Sequence, residues 1–136
     1  MKYSRVLGTG VDLVENERMQ EVLQRWGSRL KNKVFLEEEQ KYCESKASPS
    51  RHYAARFAVK EAVTKAFGTG IGPHISWLDV EVMKNLLTGA PSIRLHGKAQ
   101  VLACTRGVED ILISVSHTKT YAVAHALLIG FSTETS

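Results

Sequence analysis

The chain has 136 residues, 43% of them hydrophobic and 24% charged, with a formal charge of +4. That length suits one domain able to bury a single core. No apolar run approaches the roughly 20 residues of a membrane helix and no signal-type stretch opens the sequence, so a soluble, cytoplasmic protein with no membrane partner is expected.

Residues Arg5 to Val14 alternate as a strand does, with Leu7, Val11 and Leu13 on one side and Gly8, Gly10 and Asp12 on the other. An amphipathic helix follows. Met19, Val22, Leu23, Trp26 and Leu30 recur along it at helical spacing, and Arg18, Arg25 and Arg29 lie on a different, solvent-facing side. Glu37, Glu38 and Glu39 crowd the first turn of a second helix, where the backbone dipole favours negative charge. Cys43 and Cys104 stand far apart without metal-type or redox spacing and read as small hydrophobes.

A third helix begins more clearly. Ser48 caps it, and Pro49 suits a first turn that needs no amide donor. It runs to Phe67 and is released at Gly68-Thr69-Gly70. Ala55, Val59, Ala62, Val63 and Ala66 form its buried stripe, and so much alanine requires a close neighbour. Glu61 and Thr64 point the opposite way, flanked by Lys60 and Lys65.

The second half reads as sheet with one helix. Leu78, Val80 and Val82 alternate, Thr88 to Pro91 turns the chain, and Ile93 and Leu95 return. Lys98 to Thr105 is helical and stops at Gly107. Ile111, Ile113 and Val115 alternate again, Ser116 to Thr120 is a polar turn, and Tyr121 to Ile129 is a last strand. The Ser- and Thr-rich end, 131–136, reads as a frayed tail behind one domain of residues 1–130. This order predicts an α+β fold, an antiparallel sheet packed against helices.

Three constellations carry chemistry. Asp12 follows two glycines that let a bulky group approach the backbone, although a turn or capping aspartate would look the same. Arg56, Lys60, Glu61 and Lys65 share one helix. Glu61 and Lys65 have the spacing of a surface ion pair, worth roughly 0.2–0.5 kcal/mol. The alternative uses all four: the cations hold phosphates while Glu61, with Asp12, binds a magnesium ion that bridges them. His117, beside Thr118 and Lys119, suits phosphate binding better than a serine-hydrolase triad, because nucleophile-elbow glycines are absent around Ser114 and Ser116. The arginine stripe is either solvated or docks an acidic partner helix. Nucleic acid fits poorly, since acidic residues interleave with the basic ones and no binding motif is present.

Together these blocks resemble a known family. G-V-D near the N-terminus, A-A-R-F-A-V-K-E-A-V-T-K-A-F-G-T-G-I in the middle and S-V-S-H-T-K-T-Y-A near the end are similar to the holo-acyl-carrier-protein synthases, the short single-domain 4′-phosphopantetheinyl transferases. The resemblance covers residues 4 to about 130, and the middle block is the specific one. It implies that Asp12 and Glu61 hold magnesium and that Lys65 contacts the coenzyme A pyrophosphate. It also implies that Arg56 and His117 line the coenzyme site, with Gly68, Thr69, Gly70 and Ile71 as a loop near the nucleotide; Lys60, from the cation pattern of its helix, and Thr118, beside His117, complete the coenzyme-binding candidates. Arg18 and Arg25 fall in the helix that docks the acidic acyl carrier protein. Homotrimers are implied, with sites between subunits and Pro91 facing a neighbour's nucleotide. One departure is visible: Leu36 stands where the family often has a small hydroxyl residue after the phenylalanine, and leucine is a poor cap.

The implied reaction joins a carrier serine to the pantetheine-side phosphorus and expels 3′,5′-ADP. Asp12, Glu61 and Lys65 are its catalytic candidates, with Glu61, Asp12 or a metal-bound water as the base. A non-catalytic coenzyme A or nucleotide-binding module would retain Lys65 and His117 without needing both carboxylates.

Overall fold

The computed structural model describes residues 2–133. Strand β1 (Lys2–Glu15) leads into helices α1 (Asn16–Trp26), α2 (Ser28–Val34), α3 (Glu37–Glu44) and α4 (Pro49–Phe67). A short 3₁₀ turn (Trp77–Asp79) precedes β2 (Val80–Lys84), β3 (Pro91–Leu95), helix α5 (Gly97–Thr105), β4 (Asp110–His117) and β5 (Tyr121–Thr133). β1, β5 and β4 form an antiparallel sheet with β5 central, and β2 and β3 form a separate hairpin. The expected α+β class and antiparallel sheet hold. Among the described residues no helix is long and apolar enough to cross a membrane.

The small-residue side of β1 is the core side. Gly8, Gly10 and Asp12 pair across the ladder with Leu128, Ala126 and Ala124 of β5, and this face meets α4. A Cβ at Gly8 would sit 2.1 Å from the Ala66 carbonyl oxygen, and one at Gly10 would sit 2.0 Å from that of Ala62. The alanine stripe and the glycines therefore answer each other: strand and helix approach closely only because neither carries bulk there. A register shift between Val6 and Gly8 turns Leu7 to the core and leaves Val6 outside with Val11 and Leu13.

Several sequence expectations give way. The first helix is broken by Gly27, whose φ of 52° favours glycine, so Met19 and Leu30 lie on different helices. Helix α4 has no solvated side along most of its length, because α3 and β2 cover what the alanine stripe leaves free. Thr64 and Lys60 are accordingly fully buried, not solvent-facing. Ser48 precedes α4, but its hydroxyl makes no capping bond. Leu78 belongs to the 3₁₀ turn before β2. β5 continues to Thr133, pairing with Lys2, so the expected tail at 131–133 is strand; residues 134–136 lie outside the described range. Both cysteines are free, and burial pushes the Cys43 thiol up to about 12.

Candidate active site

Two centres emerge on different sides of α4. The first is acidic. Asp12 comes from the core face of β1 near its end, and Glu61 and Lys65 come from successive turns of α4. Lys65 Nζ donates to Asp12 Oδ1 at 2.8 Å and to the Val11 carbonyl at 3.2 Å. Burial and then the charge of Asp12 raise the proton affinity of Glu61, against the opposing pull of Lys65. Lys65 in turn is held above its ordinary pKa by its bond to Asp12. Asp12 and Glu61 line an open depression of about 420 Å³ together with Arg18, Phe57 and Tyr121. The predicted pairing of Asp12, Glu61 and Lys65 is therefore real in space.

The second centre is cationic. Arg56 lies five residues before Glu61, which turns it about 140° around the helix. It borders a cavity of about 300 Å³ lined also by His117, Pro91, Tyr42, His52 and Lys84. Among the described residues no carboxylate lines this cavity. Arg56 is 8% exposed, and its buried Nε has no hydrogen-bond partner. The His52 and His117 rings lie 6.0 Å apart. Burial, and then the surrounding positive charges, hold both imidazoles below their usual pKa. The expected set of Arg56, Pro91 and His117 thus meets, but away from Asp12.

Tyr42, His52 and Lys84 were missed from sequence. One signal for Lys84 was available. Across the predicted hairpin it pairs with Pro91, so a proline expected at the site brings that lysine with it. His52 had one too, since it lies one turn before Arg56 on the same side of α4; Tyr42, on α3, had no such local sign.

The remaining candidates divide. Lys60 is a correction: its Nζ reaches Glu39 Oε1 at 2.8 Å and the carbonyls of Trp77 and Val80 at 3.0 and 2.7 Å. Those three acceptors use every donor of an ammonium, and the side chain has no solvent contact, so it does not hold a phosphate. Glu39 also accepts the Leu36 amide at 2.8 Å, which closes the start of α3 without any hydroxyl at Leu36. The Thr118 hydroxyl is engaged within its own turn, accepting from the Tyr121 amide at 2.8 Å. Gly68, Thr69, Gly70 and Ile71 follow Lys65 at the end of α4, where the Thr69 and Gly70 amides bond the Thr64 carbonyl. Gly68 is twelve residues, about 18 Å of helix, beyond Arg56. Arg18 and Arg25 are exposed and two turns apart on α1, with Arg18 beside the acidic depression. Arg25 lies 5.5 Å over the Trp26 ring.

A lysine-flanked carboxylate pair facing an open depression, with a cation-lined cavity on the same helix, is a frame for handling phosphate groups. The chain belongs to the 4′-phosphopantetheinyl transferase superfamily, whose sequence profile matches residues 8–126. More particularly, it is similar to the holo-[acyl-carrier-protein] synthases of that superfamily. The one from Ruminiclostridium cellulolyticum is 44% identical over 120 residues, 88% of this chain and 89% of the relative. The one from Koribacter versatilis is 43% identical over 123 residues, 90% of this chain and 98% of the relative. A crystal structure of the Bacillus anthracis synthase in complex with CoA (3′,5′-ADP) is 29% identical with a TM-score of 0.76, covering 92% of this chain and 97% of that one.

Proposed function

We propose that this enzyme transfers the 4′-phosphopantetheine group of coenzyme A to a serine of an apo acyl carrier protein. The observation that carries the reading is the Asp12–Glu61–Lys65 cluster, open to solvent, in a chain whose relatives bear the synthase name. The serine oxygen bonds to the pantetheine-side phosphorus, the bond from that phosphorus to the bridging oxygen breaks, and 3′,5′-ADP leaves with the bond's electrons. The serine proton passes to a base.

The residues present fit a magnesium ion. Burial and then the Asp12 charge raise the proton affinity of Glu61, and a cation bound between the two carboxylates would offset both. Among the described residues no group of three or more His, Cys, Asp or Glu side chains gathers, and magnesium needs only one or two carboxylates beside phosphate and water oxygens. Asp12 and Glu61 would hold it. When bound it supplies neutralisation of the pyrophosphate and polarisation of the attacked phosphoryl group. Lys65 spends two of its three donors on Val11 and Asp12, and its third is free to meet charge growing on the leaving phosphate.

Two features support a homotrimer with shared sites. The outward face of the three-stranded sheet exposes Val11, Leu13, Leu112 and Tyr121, an apolar surface of the kind that other copies of a chain cover. The acidic and cationic centres also face different sides of α4, so one copy's Arg56, His117 and Pro91 can complete a neighbour's Asp12 and Glu61. Arg18, at the rim of the acidic depression, and Arg25 are placed to guide an acidic carrier's serine toward it.

Intact mass spectrometry of an apo acyl carrier protein, after incubation with this protein, coenzyme A and magnesium, tests the reading. A gain of roughly 340 Da that disappears with chelator is expected. An unchanged carrier mass beside measurable coenzyme A binding would instead indicate a non-catalytic binding module.

A further inference from the structure

The cationic cavity gathers positive charge with nothing to offset it. Among the described residues no carboxylate pairs with Arg56 or Lys84. Like charges on flexible stems move apart into water unless something holds them. The group between them is Tyr42 of α3. The Arg56 guanidinium carbon lies 3.9 Å from the Tyr42 ring centroid, Lys46 Nζ 4.8 Å and Lys84 Nζ 5.4 Å. Lys84 also donates to the phenol oxygen at 3.1 Å, and the His52 ring meets Tyr42 edge-on at 5.7 Å. An aromatic face attracts cations, most strongly where water is excluded, and Arg56 is more than nine-tenths buried.

The frame beneath this cluster is rigid. Glu39 lies one turn before Tyr42 on α3, Lys60 lies one turn after Arg56 on α4, and Val82 lies two residues before Lys84 on the same side of β2. Those three lower residues are joined: Lys60 Nζ to Glu39 Oε1 at 2.8 Å, and the Val82 amide to Glu39 Oε2 at 2.9 Å. The buried junction therefore fixes the three elements one layer below the cavity, and the upper layer repeats the same three elements as Tyr42, Arg56 and Lys84.

We infer that Tyr42 is a positioning residue for the coenzyme: its ring holds Arg56 and Lys84, from two different elements, aimed together at one phosphate group. The inference rests on the proposed reading of this cavity as a coenzyme phosphate site. Arg56 and Lys84 would touch the anion; Tyr42 acts through them. Its removal acts on coenzyme affinity and leaves the chemical step at Asp12, Glu61 and Lys65 alone.

The test uses the full chain with Tyr42→Leu, Tyr42→Phe and Arg56→Ala. It reads KM for coenzyme A, kcat at saturation, KM for the carrier, and calorimetric Kd for 3′,5′-ADP. Tyr42→Leu is expected to raise coenzyme KM and 3′,5′-ADP Kd roughly tenfold, with kcat and carrier KM within about twofold. Tyr42→Phe keeps the ring face and is expected to stay within about threefold of the parent in every constant. If Arg56→Ala weakens 3′,5′-ADP but Tyr42→Leu does not, the phosphate site stands and the role of Tyr42 is overturned. If Arg56→Ala has no effect, the phosphate site falls and the inference with it. Equal losses in Tyr42→Phe and Tyr42→Leu, or a loss confined to kcat, would also overturn it.

Discussion

Helix α4 carries two lysine–carboxylate pairs of identical length, Lys60 with Glu39 and Lys65 with Asp12, each at 2.8 Å. The first has side chains 0% and 1% exposed; the second has side chains 48% and 15% exposed. In the buried pair every ammonium donor is used and the carboxylate also takes the Leu36 and Val82 amides. Its ammonium has no donor left for a ligand, both side chains are closed to solvent, and it acts as a junction. In the open pair, Lys65 keeps a free donor and Asp12 stands beside a second carboxylate with raised proton affinity. The same two functional groups at the same distance thus do different work, and what separates them is how much bonding capacity remains.

The contrast can be broken most sharply at Glu61. Glu61→Gln keeps the shape but removes half of the acidic centre's charge. Turnover is expected to fall by about a thousandfold or more, with thermal unfolding little changed, as read by carrier modification and a melting curve. Magnesium-dependent turnover near the parent rate would show that the acidic cluster is not the reacting site. The lysines test the comparison directly. Lys60→Met strands the Glu39 charge in the core and is expected to cost about 3–5 kcal/mol in urea unfolding. Lys65→Met, at an exposed pair, is expected to cost about 1 kcal/mol or less while lowering kcat at least tenfold. Swapped outcomes would invert the assignment of junction and site. The smallest effect is expected at α1, the proposed docking helix. Arg18→Glu with Arg25→Glu is expected to raise carrier KM about tenfold and leave coenzyme KM within twofold. Equal rises in both would deny α1 a separate docking role.

The clearest sequence features were those written locally. Pro49 and Gly68 bound α4 as expected, the hairpin turns between β2 and β3, and the alanine stripe required a close neighbour, which is β1 at Gly8 and Gly10, glycines whose sequence reading was room for a bulky group. Lys60 was misread because periodicity reports which side of a helix is most apolar, not whether the other side is also covered. Here α3 and β2 cover it, and only the partner Glu39, twenty-one residues earlier, makes a buried lysine tolerable. Glu39 itself reads in the sequence as one of three first-turn acids favoured by the helix dipole, with nothing to separate it from Glu37 and Glu38, which remain exposed. The cationic cavity was half legible. Arg56 and His117 were singled out as phosphate-binding candidates from the residues themselves and Pro91 through family likeness; His52 lies one turn from Arg56 on α4, whereas Tyr42 and Lys84 join them only when α3, α4 and β2 pack.

Gly8 and Gly10 never touch a reacting group, yet they set how inheritance can treat this gene. At either position the first added carbon would collide with a carbonyl oxygen of α4, which belongs to the backbone and cannot swing aside. The strand must lift, and Asp12, two residues beyond Gly10 on the same face, lifts with it. A Gly10→Ala allele could therefore yield abundant protein that fails to support growth. A genetic screen scoring only activity would rank these two silent positions with the carboxylates, and one that also scored abundance would tell them apart.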